Sequence, residues 1–152
     1  WGWWIVNGAT TLYENWPVDA TRDISLNHIM FGEPGAWFYK APGGINPDPD
    51  KPGFKNIILK PFFVEGLSFV RAAHFSPYGE IISKWTKNIK RIRYEVTIPA
   101  NSSADMFLPE NYSLKGMKLS TGEKLPRLDK GAEGSYYLKA GSYEFDLKKN
   151  PE

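Results

Sequence analysis

The chain has 152 residues and a mass of 17.3 kDa, with 19 basic and 17 acidic side chains. This near balance of charge excludes the dense basic surface of a dedicated nucleic-acid-binding protein. The absence of cysteine excludes thiol catalysis and cysteine-ligated zinc. No apolar run reaches the roughly 18 residues that a membrane span needs, so we expect no membrane span.

The start of the chain is aromatic and carries neither a Met nor a basic segment ahead of an apolar run. We therefore expect that it is no signal peptide and that the chain begins inside a longer protein. Hydrophobic residues make up 41% and charged residues 24% of the chain, which is typical of a folded domain with its own core. The aromatic content of 15% is high, and most of these rings are expected to fill the core.

The first part of the chain has a helical pattern. Ser25 is a favourable N-cap residue and predicts the start of a second helix, whereas 17–23 is predicted to be a loop. Pro34 lacks a backbone donor, so we expect a kink or break just before it. A short first helix is predicted from four residues at helical spacing, namely Trp1, Trp4, Ile5 and Gly8.

The remainder of the chain has a β pattern. The Pro-rich segment 46–53 predicts a connector, and Arg91–Ile98 then alternates apolar and polar residues. Short strands punctuated by glycines predict an antiparallel sandwich. The predicted strands are 55–60, 67–75, 80–87, 91–98, 104–108, 117–119, 136–139 and 142–148.

Motifs for several common chemistries are absent from the sequence. The two histidines, His28 and His74, have no partner at a metal-ligand spacing, so no protein-made metal site is predicted. The chain has no nucleophile elbow, no phosphate-binding loop and no dinucleotide fingerprint. We expect no cofactor.

A basic run surrounds Trp85 and has no acidic residue before Glu95. It fits a site for an anionic polysaccharide or nucleic acid, but a β-hairpin with a solvated charged face is the favoured interpretation. The basic residues are Lys84, Lys87, Lys90, Arg91 and Arg93.

Glu14 is a carboxylate in an unusual setting, because Tyr13 and Trp16 flank it and no cation is near in sequence. Sugar hydrolases combine these residue types, using aromatic rings to bind the sugar and a carboxylate to move protons. A solvated or capping glutamate at a helix end would have the same local sequence, so the residues alone leave both interpretations open.

Two segments close together carry a resemblance to a known family. Residues 8–16, Gly-Ala-Thr-Thr-Leu-Tyr-Glu-Asn-Trp, look like the G-A-T-T-x-x-E-x-W segment of bacterial α-L-rhamnosidases, glycoside hydrolase family 78. Residues 25–32, Ser-Leu-Asn-His-Ile-Met-Phe-Gly, with the Gly-x-Trp-x-Tyr of 35–39, resemble the segment that follows it. Residues 52–61 and 76–79 are similar to parts of the β-sandwich behind the catalytic barrel, so the resemblance runs from residue 1 to about residue 109.

The resemblance implies a layout and a set of roles. Residues 1–45 would be the terminal helices of an (α/α)6 catalytic barrel, and 54–150 the C-terminal antiparallel β-sandwich of a mainly β chain. Glu14 would be the general base of an inverting hydrolysis, His28 would contact the sugar, and Trp16 would form part of the pocket wall. The general acid would lie upstream, so we expect this chain to be inactive by itself.

The resemblance also implies partners and location. The partners would be a rhamnose-containing glycan and the missing upstream catalytic region, without nucleic acid or a membrane span. Export to the periplasm or the outside of a bacterium is expected.

Two alternatives to a catalytic role remain. The sandwich could be a non-catalytic carbohydrate-binding module that uses Trp85, Tyr78 and Phe75. It could also serve purely as structural support, in which case the separate chain would expose an apolar patch. That patch would consist of Trp1, Trp3, Trp4 and Trp37.

Overall fold

The computed structural model describes residues 1–17, 24–125 and 127–150. These form two compact units, Trp1–Trp37 and Phe38–Glu152. Apart from Pro17, the loop predicted at 17–23 lies outside the described residues. The proposed division into 1–45 and 54–150 stays a prediction.

The helical part contains two short α-helices, α1 (Gly2–Val6) and α2 (Glu33–Lys40), with a 3-10 turn at Ile29–Gly32 ahead of α2. The predicted first helix is confirmed. The predicted start of the second helix at Ser25 is wrong, because the Ser25 backbone is hydrogen-bonded to Glu14.

The predicted break before Pro34 is confirmed at the junction between the 3-10 turn and α2. Pro34 lies in the first turn of α2, where a backbone N–H would have no intrahelical partner. Its missing donor therefore costs the helix nothing.

The described residues also contain ten strands, which form two five-stranded sheets. The first sheet has the order β1-β2-β6-β9-β8, and the second has the order β3-β4-β5-β10-β7. The pairs are antiparallel except β2 with β6, which is parallel. The strands are β1 (Ile45–Pro47), β2 (Asn56–Leu59), β3 (Phe69–Ser76), β4 (Gly79–Lys87), β5 (Arg91–Ile98), β6 (Ser103–Met106), β7 (Tyr112–Leu119), β8 (Asp129–Lys130), β9 (Tyr136–Leu138) and β10 (Gly141–Lys149).

The core lies between the two sheets. The alternation predicted for β5 is confirmed, because every second residue from Ile92 to Ile98 is buried. Ile57 and Leu59 of β2 and Phe145 of β10 belong to the same buried cluster. This mainly β sandwich, preceded by two helices, confirms the predicted fold class.

Two edge strands depart from the predicted pattern. The connector predicted at 46–53 begins inside β1, whose Ile45 pairs with Leu59 of β2. Pro47 is tolerated there because an edge strand has one unpaired side. The other unpredicted strand, β8, has two residues, both charged, and so has no hydrophobic alternation to read.

Candidate functional site

The two segments that carry the family resemblance lie side by side in the first unit. The N–H of Glu14 donates to the carbonyl of Ser25 at 2.9 Å, and the N–H of His28 donates to the carbonyl of Leu12 at 2.6 Å. The Thr11 hydroxyl adds a hydrogen bond to the carbonyl of Leu26. Backbone pairing therefore brings the segments of Glu14 and His28 together.

The Glu14 carboxylate is half-buried and fixed at one oxygen. Its Oε2 accepts a hydrogen bond from the N–H of Ser25 at 2.9 Å. Both the backbone and the side chain of Glu14 are thus bound to one residue of the partner segment. This double attachment restricts the direction of the carboxylate, as a group that moves a proton in a defined geometry requires.

An aromatic cluster adjoins this carboxylate in sequence and is centred on Trp4. The Trp4 ring stacks on Trp16 at a centroid distance of 4.9 Å and meets the edge of Phe31 at 5.4 Å. The Trp4 indole N–H donates to the carbonyl of Asn15 at 3.1 Å, and this bond holds the residue between Glu14 and Trp16.

Trp16 remains 55% exposed although it stacks on Trp4. Its backbone carbonyl accepts a hydrogen bond from the indole N–H of Trp3 at 3.1 Å. The uncovered part of the ring is therefore presented from a fixed backbone, an arrangement suited to packing against a sugar.

The predicted apolar patch of four tryptophans is wrong in one member. Trp4 is 2% exposed because Trp16, Phe31 and Tyr13 surround it. The other three tryptophans are about half exposed, namely Trp1, Trp3 and Trp37.

Trp85 is not a sugar platform, contrary to its place in the carbohydrate-binding alternative. It is fully buried, lies edge-on to Phe63 at 5.6 Å, and donates its indole N–H to the carbonyl of Pro42 at 2.8 Å. Phe75 and Tyr78 are exposed, at 78% and 37%, so their part of that alternative stays a prediction.

The basic run lies on the β4–β5 hairpin, and part of it is paired with acidic residues. Lys84 meets Glu95 at 2.9 Å, and Arg93 meets Glu95 at 2.9 Å and Glu144 at 2.6 Å. Arg91 lies 2.9 Å from the carboxylate of Asp146. These contacts support the favoured interpretation of a solvated, charged sheet face for that part of the run.

The described ranges contain no group of three or more His, Cys, Asp or Glu side chains that could hold a metal ion. Within the same ranges, no helix is both long enough and apolar enough to cross a membrane. The two histidines lie in different units, His28 in the first and His74 beside Phe54 in the second, at a ring distance of 4.6 Å.

Sequence reasoning missed the part played by Ser25. The family resemblance did point to Ser25, since Ser25 is the first residue of the segment that contains His28. The preference of serine for N-caps indicated a helix start, whereas the structure uses the Ser25 backbone to hold Glu14.

Comparison with known families agrees with the resemblance. Residues 1–41 match the model of the bacterial alpha-L-rhamnosidase 6 hairpin glycosidase domain, and residues 44–123 match that of the bacterial alpha-L-rhamnosidase C-terminal domain. The chain belongs to the bacterial α-L-rhamnosidase family. The predicted family, and with it the class of glycoside hydrolases, is confirmed.

Individual relatives of the rhamnosidase family cover nearly the whole chain. An α-L-rhamnosidase of Alteromonas sp. (strain LOR) is 33% identical over 97% of the chain, and one of Formosa agariphila is 30% identical over 97%. The chain spans 16% and 17% of the length of these two relatives.

Solved rhamnosidase structures have the same fold over this region. The α-L-rhamnosidase from Dictyoglumus thermophilum superposes with a TM-score of 0.74 at 29% identity, covering 97% of this chain and 17% of that one. The Streptomyces avermitilis enzyme, solved in complex with L-rhamnose, has a TM-score of 0.69 at 21% identity, covering 97% and 15%.

Proposed function

We propose that this chain is part of an inverting α-L-rhamnosidase that cleaves terminal α-L-rhamnosides from plant glycans or glycosides. One observation carries the proposal: in a chain of this family, backbone pairing joins the segment of Glu14 to the segment of His28, and Ser25 holds the Glu14 carboxylate at 2.9 Å. The relatives named α-L-rhamnosidase supply the substrate class.

In this proposal Glu14 is the general base. It takes a proton from a water molecule whose oxygen attacks the anomeric carbon of rhamnose from the face opposite the leaving group. The glycosidic C–O bond breaks, and the leaving oxygen receives a proton from a general acid. Inverting enzymes hold the two carboxyl groups about 6.5–9.5 Å apart, which leaves room for this water.

Ser25 is a positioning residue in this scheme. Its N–H holds Oε2 of Glu14, so the other carboxylate oxygen, Oε1, faces a defined direction when it receives the proton. His28 would donate or accept a hydrogen bond with a sugar hydroxyl, and the exposed part of the Trp16 ring would pack against the sugar.

The general acid would come from an upstream catalytic region of a longer protein. Acid or base assistance is typically worth about 10²–10⁴-fold in rate. The 152-residue chain, with the base alone, should therefore show almost no turnover. A non-catalytic carbohydrate-binding or structural role of the sandwich is the alternative.

The stereochemistry of the product tests the proposal. The longest natural form of this protein would be incubated with an aryl α-L-rhamnoside, and the first-formed rhamnose would be observed by proton NMR before it mutarotates. Initial appearance of the β-anomer supports inversion. Initial appearance of the α-anomer, or no hydrolysis by that longest form, would refute the proposal.

A further inference from the structure

A cleft of about 620 Å³ opens in the second unit, beside the turn between β4 and β5. One wall is the loop that precedes β3, from Phe62 to Ser68, and the opposite wall is the turn itself. The start of β7 and the end of β10 complete it. From the basic run the cleft contains Lys87 and Lys90, together with Arg91, whose guanidinium pairs with Asp146 on the sheet face.

The charge of this cleft is predominantly positive. Four cationic side chains line it against one carboxylate, that of Glu65. Among the described residues, the Lys90 ammonium has no hydrogen-bond or ion-pair partner. An anion that enters the cleft could therefore pair with Lys90 without breaking an existing ion pair. The four cationic residues are Lys87, Lys90, Arg91 and Lys149.

The walls are held in place by side-chain hydrogen bonds. Oδ1 of Asn88 accepts from the N–H of Lys90 at 3.0 Å and from the N–H of Arg91 at 2.8 Å, which fixes the turn. Nζ of Lys87 donates to the carbonyl of Val64 at 2.7 Å and so ties the opposite loop to β4. Because the walls are already ordered, binding a ligand in this cleft would cost little conformational entropy of the protein.

The same cleft also presents apolar surface. Phe62 is 60% exposed and Ile89 is 96% exposed, and the half-buried ring of Tyr112 lies at the start of β7. Exposed aromatic and aliphatic groups beside cationic side chains match a ligand that is apolar on one face and anionic at one edge. A sugar ring with a charged substituent has both properties.

We propose that this cleft binds a sugar residue that carries an anionic group, a carboxylate or a sulfate. Its ring would pack on Phe62 and Tyr112, and its charge would face Lys90. A nucleic acid fits less well because its regularly spaced phosphates need a continuous row of cations. Here the row ends, since Glu95 and Glu144 neutralise Arg93 on the sheet face.

The proposal is tested by NMR titration of the ¹⁵N-labelled 152-residue chain. The probes are glucuronate, glucose 6-sulfate and neutral methyl glucoside, and their comparison distinguishes a carboxylate from a sulfate. We expect saturable shifts of the amides of Glu65, Lys90 and Tyr112 with at least one anionic sugar. Raising the salt concentration to about 0.5 M should weaken this binding because it screens exposed charges.

Three variants make the test specific. Lys90→Ala should weaken anionic-sugar binding about fivefold, as the loss of one favourable charge predicts, and Lys90→Arg should restore most of it. Lys124→Ala is the matched control, because Lys124 is an exposed lysine beyond the far end of β7 and does not line the cleft. It should bind like the wild type.

Several outcomes would overturn the proposal. They are the absence of saturable shifts at the cleft, equal binding of methyl glucoside, and equal weakening by Lys90→Ala and Lys124→Ala. Tighter binding of a single-stranded DNA oligonucleotide, with shifts that spread to Lys84 and Arg93, would also contradict it. None of these results bears on hydrolysis by Glu14, so this proposal and the proposed function fail separately.

Discussion

The buried phenol of Tyr94 should make the stability of the sandwich fall steeply at alkaline pH. Tyr94 is fully buried on β5, and its hydroxyl lies 3.1 Å from Oγ of Ser83. Because Ser83 donates its own proton to the carbonyl of Gly43, the Tyr94 hydroxyl is the donor in this pair. Burial raises the pKa of Tyr94 well above the usual range of a tyrosine.

The sign and size of the effect follow from linkage. An unfolded tyrosine titrates near pH 10, whereas folded Tyr94 keeps its proton at that pH. Above about pH 10 the unfolded state therefore binds fewer protons than the folded state, and the free energy of unfolding falls by about 1.4 kcal/mol per pH unit. Below that pH the stability contribution of neutral Tyr94 is fully present.

Tyr94→Phe removes both the titration and the hydrogen bond to Ser83. At pH 7 the variant should be less stable than the wild type by about 0.5–1.5 kcal/mol, the usual worth of one such bond. At about pH 11 this deficit should have disappeared, because the wild type has lost about 1.4 kcal/mol that the variant cannot lose. Urea unfolding followed by circular dichroism at both pH values measures the difference.

A buried variant without an ionisable group provides the control. Ile92→Val removes one methylene group from the same strand and should cost about 1 kcal/mol at both pH values. If the deficit of Tyr94→Phe stays as constant as that of Ile92→Val, the reasoning from the buried phenol is refuted.

Two further substitutions probe how loops are joined to the first sheet. Asn56→Ala should cost about 2–3 kcal/mol in urea unfolding, because buried Nδ2 donates to the carboxylates of Asp48 and Asp105 at 2.9 and 2.8 Å. The pKa of Asp48, which that bond chiefly lowers, should rise in an NMR titration. Gly44→Ala should cost more than about 2 kcal/mol in the same unfolding measurement, because φ is +69° and a Cβ would collide with the backbone of Pro61.

Controls and contrary results are available for both substitutions. Gly122 also has a positive φ, of +93°, but open space surrounds its Cβ position, so Gly122→Ala should cost only about 1–2 kcal/mol. Equal costs at Gly44 and Gly122 would contradict the predicted collision. A loss of less than about 0.5 kcal/mol for Asn56→Ala, or an unchanged pKa of Asp48, would contradict the role given to that amide.

The sequence predicts the long strands well because a half-buried strand repeats every two residues. In Arg91–Ile98 the alternation gives both the bounds and the buried face of β5. The parallel pairing of β2 with β6 has no such local signal, because it joins residues 47 positions apart, such as Asn56 and Ser103.

At the candidate site, family resemblance contributes what local propensity cannot. Local propensity favours an N-cap at Ser25, but tertiary hydrogen bonds with Glu14 override it. Trp85 shows the converse error: its sequence neighbours Lys84 and Thr86 are polar, yet its strand position turns the ring into the core. A tryptophan on a strand can be either a solvent-exposed binding surface or part of the core. The sequence of the strand is the same in both cases, and the packing of the other sheet determines which of the two it is.

The most direct test of the central claim is the turnover of Glu14→Gln in the longest natural form of the protein, with an aryl α-L-rhamnoside as substrate. Glu123→Gln, at an exposed carboxylate in the second unit outside the proposed cleft, is the matched control and should hydrolyse the substrate like the wild type. If Glu14 is the general base, kcat should fall by about 10²–10⁴-fold while KM changes little. A kcat within about twofold of the wild type, equal to that of the control, would contradict the account.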